Sequence, residues 1–111
     1  MPIERGEVYW VNFDPSIGGE IRKTRPAIVL SNNAANRALN RIQVVPITSK
    51  IDRVYPSEAI VEVKGVRRKA MANQISTASK LRFGKKLGAL SSDDMVRVEA
   101  AIAIQLALTL K

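Results

Sequence analysis

Two short segments hold the side chains best suited to chemistry: Glu20-Ile-Arg-Lys-Thr-Arg25-Pro26-Ala-Ile-Val-Leu-Ser31 and Val44-Val-Pro46-Ile-Thr48-Ser49. Each sets polar residues at the end of a strand-like apolar run, where the strand fixes their direction. Arg25 is permanently protonated and presents a planar fork that matches phosphate oxygens, so it suits the extra charge of a pentacoordinate phosphorus. It reads equally as a surface arginine paired with Glu20. Thr48, Ser49 and Lys50 send two hydroxyls and an ammonium out of the second run together, a group able to hold a phosphate. Thr48 also reads simply as a β-branched strand residue with solvated neighbours. Glu20 is the carboxylate best placed to move a proton or to orient Arg25. Asp14 precedes Pro15 as a turn former, and Asp93 and Asp94 belong to a helix start.

What the chain lacks narrows the chemistry further. It has no cysteine and no histidine, which removes Ser-His and Cys-His nucleophiles, thiolate metal sites and the commonest general acid/base. Its carboxylates show no metal-ligand spacing, so neither a metal nor another cofactor is expected. A formal net charge of +8 is the footprint of a polyanion binder, with nucleic acid the obvious partner. The remaining bases, including Arg53, Arg67, Arg68 and Lys69, read as phosphate tethers or solvated charges. Tyr9, Trp10, Tyr55 and Phe83 are candidates for stacking on unpaired bases, with Trp10 the most suited to a core or interface. No apolar run approaches the roughly 20 residues that span a bilayer, and the N-terminus shows no secretion signal. A cytoplasmic protein without membrane contact is expected, its 111 residues forming one domain over 1–111.

The elements that must position these residues follow from pattern. Glu7 to Phe13, rich in aromatic and β-branched residues, reads as a strand closed by Asp14-Pro15 and a glycine-bearing loop. Pro26 to Ser31 and Ile42 to Thr48 are short apolar runs that fit covered strands, and Pro46 places the second at an edge or bulge. Asn32 to Asn40 allows one helical turn. Glu58 to Val63 is a strand, Gly65 a turn, and Arg68 to Ile75 a weaker strand. Gly84 and Gly88 break up a basic connector. Ser91 caps a helix from Ser92 to about Leu108, with Asp94 three residues on and an apolar stripe through Met95, Val98, Ile102 and Leu106. Several short strands followed by one long helix, mainly β with α, suggest a small β-barrel with a C-terminal helix.

Taken in order, Arg5-Gly6, Gly19-Glu20, Arg25-Pro26, Pro46-Ile47-Thr48-Ser49 and Gln74-Ile75 resemble the MazF/PemK family of toxin endoribonucleases over nearly the whole chain. The resemblance implies a compact SH3-like β-barrel and a homodimer with single-stranded RNA along the subunit interface. It implies sequence-specific cleavage and silencing by a cognate antitoxin. The family's catalytic arginine falls on Arg25 and its catalytic threonine on Thr48. Glu20 completes the catalytic set, and Lys23, Thr24, Ser49, Lys50 and Gln74 are the expected RNA contacts. Ile21, Asn73 and Ser76 depart from the common pattern without touching Arg25 or Thr48. A CcdB-like gyrase poison of the same fold and a non-catalytic nucleic-acid-binding barrel are the alternatives.

Overall fold

Short runs of Val, Ile and Ala bounded by turn residues pair into sheets rather than coil into helices, and the computed structural model shows how. It describes residues 2–15, 18 and 23–109. Seven strands form one antiparallel sheet: β1 (Glu7–Asn12), β2 (Thr24–Val29), β3 (Arg41–Thr48), β4 (Glu58–Val63), β5 (Val66–Met71), β6 (Ser76–Ser79) and β7 (Phe83–Ala89). Their spatial order is β4-β5-β3-β2-β1-β7, with β6 also on β3. The sheet curls into a half-barrel. Its two outermost strands meet where a Cβ added to Gly88 would lie 3.0 Å from Val63 Cγ1, so glycine permits the approach.

Pro46 does not lie on an edge strand, contrary to expectation. β3 runs through the middle of the sheet, with β2 along one side. On its other side β6 pairs with Arg41 to Val44 and β5 with Ile47 and Thr48. Pro46 falls in the gap between those two partners, beside the 3-10 turn Ala72–Gln74. The expected strand from Arg68 to Ile75 is therefore cut by that turn. The supposed connector around Gly84 and Gly88 is strand β7, held to β1 through a register that shifts between Val8 and Val11. Pairing partners overrode the two glycines' low strand propensity.

Alternation along the strands gives the sheet two apolar faces. One gathers Val8, Ile28, Val45, Ile47, Ala59, Val61 and Val63 against Met95, Val98 and Ala101 of helix α2 (Ser92–Leu106). The other gathers Tyr9, Val11, Ala27, Val29, Ile42 and Val44. Tyr9 meets Phe83 edge to face at 5.6 Å and donates to Glu7 Oε1 at 2.9 Å. Burial and that bond push its phenol up to about 12. Burial alone would raise the Glu7 carboxyl, yet bonds from Lys86, the Glu4 N–H and Tyr9 hold it below its ordinary value. Tyr9 is core, not a stacking platform.

The helix begins as the cap pattern requires. Ser91 Oγ accepts from the Asp94 N–H at 3.1 Å. Asp94 does more than face the helix dipole: it is buried, its Oδ2 accepts from the Glu62 N–H of β4 at 2.8 Å, and its Oδ1 accepts from Arg97 at 2.7 Å. The carboxylate thus pins the first helical turn to the sheet. Ala107, in a left-handed conformation, closes the helix one residue after Leu106. A second, short helix α1 (Asn33–Ala38) is capped by Asn32. Among the described residues no helix is long and apolar enough to cross a membrane.

Candidate active site

The two strand-end residues singled out by the sequence fall at the same end of the sheet. Arg25, second residue of β2, pairs with Val11 of β1 and so lies on the second apolar face. β2 and β3 are in register from Val29–Val44 to Ala27–Pro46. Continuing that register two residues sets Arg25 against Thr48, and residues opposite one another in an antiparallel pair share a face. The guanidinium stem is half-buried, and Arg25 Nε is fully covered with no hydrogen-bond partner among the described residues. Buried donors are normally satisfied.

Thr48 Oγ1 accepts from the Lys50 N–H at 3.3 Å. That bond bends the chain out of β3 and leaves the hydroxyl proton to be donated elsewhere. Ser49 and Lys50 follow, both exposed. On the other flank, β2 is launched by Lys23 in a left-handed turn, at φ 65°. Its N–H donates to Asp14 Oδ1 at 2.9 Å and its carbonyl accepts from the Phe13 N–H at 2.9 Å. Arg82 Nη1 bonds the carbonyls of Asn12 and Asp14. Asp14 and Arg82 thereby clasp the two ends of the β1–β2 loop, so exposed Lys23 and Thr24 leave a fixed platform. Gln74 ends the 3-10 turn beside Pro46, half-buried. Glu20 lies outside the described residues.

A further residue lies beside Thr48, one that the sequence placed among the phosphate tethers or solvated charges. Thr48 pairs directly with Lys69 of β5. Lys69 Nζ stands 3.3 Å from Glu58 Oε1, the two side chains only 12% and 10% exposed. Only the long-range register reveals this neighbour; the single local hint was the alternation of Glu58-Ala-Ile-Val-Glu-Val, which puts Glu58 and Ile60 on one face. Arg53 and exposed Tyr55 occupy the β3–β4 loop, with the Arg53 guanidinium 5.9 Å from the ring centre. Among the described residues no three His, Cys, Asp or Glu side chains gather as metal ligands.

A strand-end arginine and a strand-end threonine thus leave one end of the sheet on one face, in a chain of net charge +8. The model of PemK-like, MazF-like toxins of type II toxin-antitoxin systems matches residues 4–106. The chain belongs to the MazF/PemK toxin family. Within that family it is 34% identical to Endoribonuclease MazF9 of Mycobacterium tuberculosis, over 96% of this chain and 98% of the relative. Endoribonuclease EndoA of Bacillus subtilis is 32% identical, covering 97% of each. The crystal structure of MazF from Deinococcus radiodurans superposes with a TM-score of 0.84 at 27% identity, over 96% of this chain and 98% of that one. The MazF/PemK fold expected from the sequence, mainly β with a C-terminal helix, is the fold observed.

Proposed function

We propose that this protein is the toxin of a toxin-antitoxin pair, a cytoplasmic endoribonuclease that cuts single-stranded RNA, messenger RNA foremost, at short sequences. The observation that carries the reading is that Arg25 and Thr48 leave neighbouring strands at one end of the sheet and on one face, in a chain whose relatives are named endoribonucleases. In the proposed reaction the ribose 2′-oxygen attacks the adjacent phosphorus, the bond from phosphorus to the 5′-oxygen breaks, and the products are a 2′,3′-cyclic phosphate and a 5′-hydroxyl. The 2′ proton leaves to a base and one proton reaches the departing 5′-oxygen. The nucleophile belongs to the substrate, so no metal-bound water is required. Arg25 stabilises the charge that develops on the phosphorane, and Thr48 donates its hydroxyl proton to a phosphate oxygen. An arginine, with a pKa above ~12, is a poor base at neutral pH, so the proton goes to the Glu20 carboxylate or to a backbone-positioned group. Lys23, Thr24, Ser49, Lys50 and Gln74 hold the flanking nucleotides.

The outer side of α2 supports a homodimer. Val96, Ile104, Leu106 and Leu108 are exposed, and Ala100, Ala103, Ile104, Ala107 and Leu108 line a shallow apolar groove of the kind that a second copy covers. Sedimentation at micromolar concentration should show a dimer, and a monomer would remove this element. A mycobacterial endoribonuclease of the same fold is solved in complex with its cognate antitoxin; an antitoxin of this chain would set an acidic segment on the basic face in competition with RNA. The test of function is incubation of the purified protein with a long single-stranded RNA in EDTA, followed by mapping of the ends. Discrete cuts with 5′-hydroxyl ends are expected. Binding without cleavage would leave a nucleic-acid-binding barrel, and neither binding nor cleavage would favour the gyrase-poison alternative.

A further inference from the structure

We infer that Lys69 is a further catalytic residue of this site, its ammonium contacting the scissile phosphate from the β5 side, with Glu58 as its positioning residue. The inference rests on the ribonuclease reading and on a row of cross-strand neighbours. Val11 pairs with Arg25, Thr48 with Lys69, and Lys69 with Ile60. The β2–β3 register, continued, joins Arg25 to Thr48. One face of the sheet therefore carries guanidinium, hydroxyl and ammonium on three neighbouring strands, Thr48 and Lys69 as a direct cross-strand pair and Arg25 just beyond the last β2–β3 pair. A phosphate hydrogen-bonded to Thr48 lies between two cations.

The ammonium is held for that task. Lys69 Nζ donates to the Arg53 carbonyl at 2.8 Å and stands 3.3 Å from Glu58 Oε1. Glu58 Oε1 is itself fixed by the Tyr55 N–H at 2.9 Å. An ammonium has three donors, and these two contacts leave the third to point at an incoming oxygen. A solvated lysine at a strand edge would cost rotamer entropy to bring to bear, and its charge would be damped by water. Lys69, largely covered, has lost that freedom already, so its charge acts on the phosphorane without reorganisation. Glu58 orients the charge; Arg25 and Lys69 together supply it on opposite sides of one hydroxyl.

The test compares the wild type, Lys69→Met, Lys69→Arg, Glu58→Gln and Lys69→Cys in single-turnover cleavage of a single-stranded RNA oligonucleotide, with RNA affinity and thermal unfolding measured on each. The chain has no cysteine, so bromoethylamine alkylates Lys69→Cys at one thiol and rebuilds an ammonium at nearly the original length. Lys69→Met should lower the saturating rate about 10- to 100-fold with a smaller change in RNA affinity. Lys69→Arg and the alkylated cysteine protein should recover most of it, and Glu58→Gln, which keeps the charge but frees it, should lose less than Lys69→Met. A Lys69→Met protein that cuts within about twofold of wild type overturns the inference. So does a loss of rate that follows a loss of thermal stability variant by variant, since that would mark a purely structural ion pair. Should Lys69→Met fail to fold, the comparison of Lys69→Cys before and after alkylation decides. A wild type that never cuts RNA would instead bring down the ribonuclease reading itself.

Discussion

Arg25→Ala should cleave RNA at least roughly 100-fold more slowly than the wild type while unfolding at the same temperature. That loss corresponds to about 2.7 kcal/mol of transition-state stabilisation, the scale of removing one preorganised charge or donor from a site. The fold should be indifferent for a structural reason. Arg25 stands one residue inside β2, beyond the last residues that pair with β3, and no ion pair joins it to any described residue. Truncation also removes a buried Nε donor that lacks a partner among the described residues. The saturating rate should fall more than the affinity for RNA, because the other cations still hold the chain. Activity within a few-fold of wild type would take Arg25 out of the site. Thr48→Val is the companion: it keeps the β-branched shape and deletes only the hydroxyl, so it too should slow turnover without unfolding the protein.

An RNA whose nucleotide on the 5′ side of the cut carries 2′-deoxyribose should not be cut there at all, yet should bind almost as well. The proposed nucleophile is that hydroxyl, and its absence leaves no attacking atom, whereas the phosphates that meet Lys23, Arg25 and Lys50 are unchanged. The products from an all-RNA substrate should refuse ligation at the new 5′ end until they are phosphorylated. Cleavage of the deoxy substrate at an undiminished rate, or 5′-phosphate ends, would require a water nucleophile and a different set of roles for Glu20, Asp14 and Glu58. Undiminished binding with no cut is the result that ties the chemistry to the substrate's own oxygen.

Features set by neighbours in the chain were legible in the sequence. Glu58–Val63 alternates cleanly and is a strand with those bounds; Ser91 and Asp94 stand at cap spacing and form the cap. Arg25 and Thr48 stand at the ends of apolar runs, but only the resemblance to MazF/PemK toxins set them above an ordinary surface arginine and strand threonine. What depended on partners distant in the chain was not legible. β7 looked broken because Gly84 and Gly88 are poor strand formers, but its pairing with β1 outweighs that preference, and Gly88 is needed where Val63 comes close. Pro46 looked like an edge marker, and the gap it occupies exists only because β5 and β6 share one side of β3. Lys69 was hidden for the same reason. Nothing within a few residues of it says that Thr48, 21 positions away in the chain, is its cross-strand neighbour.

The bond between Asp94 and the Glu62 N–H has a bearing on how the protein survives at high concentration. β4 is the terminal strand of the sheet order, and such a strand offers its unpaired N–H groups as a template for another chain. Glu62 is a donor near its end, and the helix carboxylate already fills it at 2.8 Å. A foreign strand approaching that border would meet an occupied donor and the first turn of a helix instead of a free ladder. The turn of helix that secures the domain's end is also its guard against fibrous self-association.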